Sequence, residues 1–271
     1  MTTTDSPSQA HAEVTPEQTL RAVAKAEVRR LLSKGGVPIP VIVAGTLALT
    51  TGILTMFVMK SLAPEPARIM TTTPVELGAF IGALVLSVAA VFAVGRDHAG
   101  QLGLALSLTP NRSRLFMART MSWVALTAVV IAICTTVLAA LGFVLSEGRF
   151  AGSGLLSVAV AVPGSASMVL IAVALAHLVG RAFGSVLLLV GVNLLLPLGV
   201  FAVGTMIPAQ AAEAVDFLLN VTPTPLFIRA VGATTIEELG PGHLLLGQFG
   251  LVLWALVLTG LAHAVFRRRT I

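Results

Sequence analysis

The chain has 271 residues, of which 56% are hydrophobic and only 11% charged, and its mean hydropathy is +0.96. A soluble domain is about 25% charged, so this chain has too few charges to cover a water-facing surface, and lipid must be its outer solvent. The net charge of +5 does not point to nucleic acid, because the basic residues gather at the edges of apolar segments, and the single Cys134 excludes a disulfide or zinc framework.

Residues 1–15 are polar, from Thr2, Thr3, Thr4 and Asp5 onward, and are expected to form a disordered cytoplasmic tail. No charged stretch leads straight into an apolar one there, so no cleaved signal peptide is expected. Thr15-Pro16-Glu17-Gln18 then predicts a helix start, with Thr at N-cap and Pro at N1. The helix is expected to reach Lys34 within a unit covering 16–36. Leu20, Val23, Ala24, Val28 and Leu31 share one face, and Arg21, Lys25 and Arg29 form a stripe beside it. Gly35-Gly36 breaks the helix. Such a helix suits a membrane interface, with Arg21, Lys25, Arg29 and Arg30 near lipid phosphates. The alternative is a cytosolic helix with a solvated charged face.

Six apolar stretches follow, at about 37–59, 75–94, 121–145, 155–179, 183–207 and 244–266. A helix of about 20 apolar residues crosses the ~30 Å hydrocarbon core. The first outer connection, Lys60–Pro74, carries three prolines and is expected to be non-helical. Gly78, Gly82 and Ser87 mark close helix packing on the second span. The connection Gly95–Thr120 is expected to hold a short helix with Leu102/Leu106 and Leu104/Leu108 pairs. A second helix is expected to start at Thr109-Pro110 and to run into the third span. Pro163 and Pro197 are candidate kinks in the fourth and fifth spans. A tight turn at Gly180-Arg181 makes those two spans an antiparallel pair. Ala211–Asn220 and Pro225–Val231 are expected to be short outer helices before the last span, and Phe266-Arg267-Arg268-Arg269 ends the chain as a cytoplasmic stop.

The basic residues set an orientation. With the N-terminus inside, thirteen of the 17 Lys and Arg fall in inner segments and four in outer ones. The positive-inside rule then places both termini in the cytoplasm. The expected fold is all-α: a polytopic six-span bundle over 37–271, preceded by an amphipathic interfacial helix.

Little in the chain looks catalytic. No G-x-x-x-x-G-K-[ST] loop occurs, so ATP binding by this chain is not expected, and no H-E-x-x-H or Cys/His cluster suggests a metal. Gly152-Ser153-Gly154 and Gly164-Ser165 have no convincing histidine partner for an intramembrane serine protease. His177 and His263 fall at the cytoplasmic ends of their spans. Glu237-Glu238 lies in an outer loop, outside any span where a metal protease would need it. Intramembrane polar groups are functional candidates by default. Asn193 and Gln248 are the strongest of these, as interhelical hydrogen-bonding groups or as pathway-lining ones.

The order of elements now carries a resemblance. A basic amphipathic helix precedes two spans. A cytoplasmic helical elbow follows, with Gly100-Gln101-Leu102 leading to Thr109-Pro110-Asn111-Arg112-Ser113-Arg114-Leu115 and Arg119 entering the third span. Four spans and a long outer segment complete it. Over 16–271 this resembles the permease subunit of the type-2 ABC exporter family. Members commonly carry Glu where Arg96 stands, four residues before Gly100, and Thr where Gln101 stands.

The resemblance implies an exporter subunit in a bacterial plasma membrane. It would pair with a second permease copy and with a separate ABC ATPase subunit that holds the ATP and Mg, so this chain needs no cofactor and is not itself an enzyme. It also implies that Arg96, Asp97, Leu102, Leu106, Leu108, Arg112 and Arg114 form an ATPase-coupling element. The other classes open at this point are a six-span intramembrane enzyme and a non-transporting immunity or scaffold protein.

Overall fold

The computed structural model describes residues 19–33, 38–62, 66–98, 111–146, 152–195, 217, 220–232 and 241–268. All regular structure among them is helical. In chain order the helices are α1 (Leu20–Leu32), α2 (Pro38–Leu62), α3 (Pro66–Arg96), α4 (Arg112–Leu145), α5 (Gly152–Val179), α6 (Ala182–Val190, continued by a π-helical turn Gly191–Leu195), α7 (Pro223–Val231) and α8 (Pro241–Arg268).

Five of these, α2, α3, α4, α5 and α8, are long and apolar enough to cross a bilayer. The protein is therefore a polytopic helical membrane protein. The sixth expected span, at 183–207, is represented by the shorter apolar helix Ala182–Asn193, and Leu196–Ile207 lies outside the described residues.

α5 is the centre of the bundle, touching α3, α4, α6, α7 and α8. Its segment from Ile171 to Ala176 is buried on every side, an arrangement that suits an all-apolar sequence with no polar face. α2, α3 and α4 pack by close approach. A Cβ on Gly78 would lie 2.6 Å from Leu138 Cδ1 and 3.0 Å from the Ala48 carbonyl oxygen, and one on Gly82 would lie 2.9 Å from Ile131 Cδ1. Gly78, Gly82 and the buried Ser87 thus form the packing face expected of them. Small residues let backbones approach where lipid supplies no hydrophobic drive between helices.

Several boundaries differ from the sequence expectation. α1 begins one turn late: Thr19 is extended at φ −68°, ψ 149°, and its hydroxyl accepts from Ala22 N at 3.3 Å. The cap is thus Thr19, while Thr15 lies outside the described residues. α4 begins at Arg112, capped by Asn111, whose Oδ1 accepts from Arg114 N at 3.1 Å. Asn111 itself is extended, so no helix runs through it from Pro110. The connection Lys60–Pro74 is largely helical, because α2 persists to Leu62 and α3 starts at Pro66. Pro66 can open a helix, where its missing N–H is an orphan anyway. Pro74 stands inside α3, as Pro163 does inside α5.

The turn from α5 to α6 is as tight as expected. Gly180 takes φ 69°, a left-handed helix end, and donates to the Ala176 carbonyl at 2.8 Å. α6 then passes so close to the end of α3 that a Cβ on Gly95 would sit 2.6 Å from Ala182 N. At the far end α7 starts with Pro223 after Thr222, matching the second expected outer helix. Of the first, Ala211–Asn220, only Phe217 and Asn220 are described.

Candidate functional site

The chemistry-bearing residues gather at the bundle end where α1 lies. α1 buries Val23, Glu27 and Leu31, spaced by four residues and so stacked on one face. A carboxylate in the middle of an apolar stripe needs a partner, because burying an unpaired charge is costly. Glu27 has two. Arg30 Nε donates to its Oε2 at 2.7 Å, and the fully buried Arg119 of α4 reaches its Oε1 through Nε at 3.3 Å.

Both guanidiniums also meet Asp97. α3 ends in a π-helical turn at Asp97-His98 that points the Asp97 carboxylate inward. Arg30 Nη1 and Nη2 donate to Asp97 Oδ1 and Oδ2, each at 2.8 Å. Arg119 Nη2 stands 3.7 Å from Asp97 Oδ2. Two cations and two anions make a neutral quartet that joins α1, the end of α3 and the start of α4. The fork-on-fork pairing of Arg30 with Asp97 fixes geometry as well as charge.

Partial burial alone lowers the pKa of Arg30. Asp97 and Glu27 outweigh that effect and raise it above its ordinary value. The guanidinium therefore stays charged at any accessible pH.

A second cluster backs the quartet. Ser113 Oγ and His263 Nε2 are 2.6 Å apart, which ties α4 to α8. The Phe116 ring lies 4.9 Å from His177, 5.2 Å from His263 and 5.7 Å from Phe266, centre to centre. His98 adds its ring 5.1 Å from His177, and its Nδ1 faces the Val94 carbonyl at 2.9 Å. The ends of α3, α4, α5 and α8 thus meet around one aromatic and imidazole centre. Among the described residues no three His, Cys, Asp or Glu side chains are placed to hold a metal.

The residues proposed from sequence fall in three groups. Asp97 is buried in the quartet rather than facing outward, and Arg30, expected near lipid phosphates, pairs with it. Arg21, Lys25 and Arg29 are exposed on α1, Arg96 is exposed at the end of α3, and Arg112 and Arg114 are half-buried in the first turn of α4. Leu102, Leu106 and Leu108 lie outside the described residues. Asn193 and Gln248 sit in the other half of the bundle. Gln248 Nε2 donates to the Val160 carbonyl at 2.9 Å and to the Ala230 carbonyl at 3.0 Å, joining α8 to α5 and α7. Asn193 accepts from Thr224 Oγ1 at 3.0 Å and donates to the Leu189 carbonyl at 2.9 Å.

Sequence reasoning missed Glu27 altogether and gave Arg119 no partner. The signal for Glu27 was available: it is the one acid at the centre of the Val23/Leu31 stripe. No family model matches this chain, and no curated protein does.

Proposed function

We propose that this chain is the membrane-spanning permease subunit of an ATP-driven exporter of the type-2 ABC kind, with the α1 end in the cytoplasm of a bacterial plasma membrane. A separate ATPase subunit would bind ATP and Mg, and a second permease copy would complete the path. The observation that carries this reading is the quartet of Glu27, Arg30, Asp97 and Arg119. It clamps α1 to both flanks of the 96–114 element, the part that resembles a coupling helix. A push on that element would reach α3, α4 and the interfacial helix together. Excess basic charge at the same end supports a cytoplasmic placement.

The six-span count and the dimer belong to the same proposal, with 183–207 as the sixth span. The test is co-purification. The double variant Leu102→Asp with Leu106→Asp should insert normally and lose the partner ATPase, since truncating a buried interface anchor commonly costs more than 1 kcal/mol. Undiminished ATPase recovery with unchanged ATP-dependent export would reject the reading.

A further inference from the structure

On the outside of the bundle, α2, α3 and α4 leave an open groove of about 640 Å³. Its walls are Ile39 and Val43 of α2 and Val88 and Phe92 of α3, with Trp123 of α4 at its floor and Arg96 at its mouth. Ile39 is 69% exposed and Phe92 46%, so the walls face whatever surrounds the bundle.

Among the described residues, Arg96 is a cation with no anion of its own. The nearest acid in sequence, Asp97, is turned inward and already holds Arg30 and Arg119. No ion pair reaches Arg96 among the described residues. The exposed Arg21, Lys25 and Arg29 of α1 belong to the same end of the bundle, so the surroundings are net positive.

The groove's length is informative. On α3 it runs from Leu84 to Arg96, a rise of about 18 Å at 1.5 Å per residue. One leaflet of the hydrocarbon core is about 15 Å deep. The groove is therefore about as long as one leaflet is deep, apolar throughout, with its only charge at one end. An apolar groove one leaflet long with a single cation at its end matches an acyl chain that carries an anionic headgroup.

We propose that this groove is a binding site for an anionic phospholipid of the α1-side leaflet, one acyl chain lying against Trp123 and its phosphate paired with Arg96. The site requires only that the bundle lies in a bilayer and does not depend on the transport reading. Arginine is suited to this role because its planar fork matches phosphate oxygens and it cannot lose its charge.

The chain has two tryptophans, so Trp254→Phe leaves Trp123 as the only reporter. The full-length variant is placed in nanodiscs of phosphatidylcholine that hold equal mole fractions of acyl-brominated phosphatidylglycerol or acyl-brominated phosphatidylcholine. Quenching of Trp123 should show about a fivefold preference for the anionic lipid, the factor expected for one arginine near an anionic lipid surface. Arg96→Gln should abolish the preference and Arg96→Lys should keep most of it. Equal quenching by both lipids, or a preference that survives Arg96→Gln, would overturn the site. So would protection of Trp123 from both lipids, which would mean that a second copy covers the groove. If Trp254→Phe does not fold, the wild-type chain and the Arg96 variants are extracted from mixed vesicles and weighed by native mass spectrometry. Retention of phosphatidylglycerol by the wild type and Arg96→Lys but not by Arg96→Gln supports the site, and equal retention overturns it.

Discussion

The two ends of the bundle are held by different chemistry. At the α1 end four full charges meet in one network, with Glu27, Asp97 and Arg119 buried and Arg30 partly exposed. At the α7 end the helices are joined by neutral groups: Gln248 to two carbonyls, Thr224 to Asn193, and Trp254 Nε1 to the Val221 carbonyl at 2.8 Å. A neutral hydrogen bond is worth about 1 kcal/mol net and fails gently. A buried charge left without its partner is far more costly, so the α1 end is an all-or-none joint.

The sharpest way to break the comparison is Arg119→Met. It leaves two carboxylates to a single guanidinium in a buried site, and breaking such a pair costs about 3–5 kcal/mol. Thermal unfolding in detergent should show a large drop, and adding Glu27→Gln to the same chain should restore much of it. An Arg119→Met chain as stable as the wild type would mean that the quartet does not hold α1.

Gln248→Leu tests the other end. It removes a donor from both the Val160 and Ala230 carbonyls and should cost about 1 kcal/mol, given that interhelical hydrogen bonds in membranes average ~0.6 kcal/mol. The same unfolding assay should place it well below Arg119→Met. A loss as large as that of Arg119→Met would erase the distinction between the ends.

Arg30→Lys should have the smallest effect. It keeps the charge and loses the two-pronged fit on Asp97. The Arg30 side chain is 38% exposed, so water and salt screen it, and the change should stay under about 1 kcal/mol. Raising the ionic strength should weaken the contribution of Arg30 and leave that of Arg119 nearly untouched. Equal salt dependence for the two would show that Arg119 is not buried as described.

Much of the fold was legible because membrane insertion is a local matter. Five of the six apolar stretches are span-length helices, and the close packing at Gly78 and Gly82 follows from residue size alone. Helix ends were less legible. Thr15 and Thr109 looked like caps, whereas Thr19 and Asn111 are the caps observed, since several Thr, Asn and Pro residues stand close together and each could start a helix. Of the candidate site, the basic stripe of α1 was readable, but the role of Glu27 was not, because its partners Arg30 and Arg119 are set by packing.

Taken alone, the sequence determined which segments are apolar enough for lipid, where basic residues collect, and that α1 has two faces. These are properties of short windows, set by the free energy of moving each side chain between water and lipid. Only the tertiary structure decided which charges meet. Arg30 and Asp97 are 67 positions apart and Glu27 and Arg119 are 92 apart. Their pairing depends on how α1 packs on α4 and how α3 and α4 pack around α5. It likewise took that packing to give Arg96 a groove beneath it and, among the described residues, no anion paired with it.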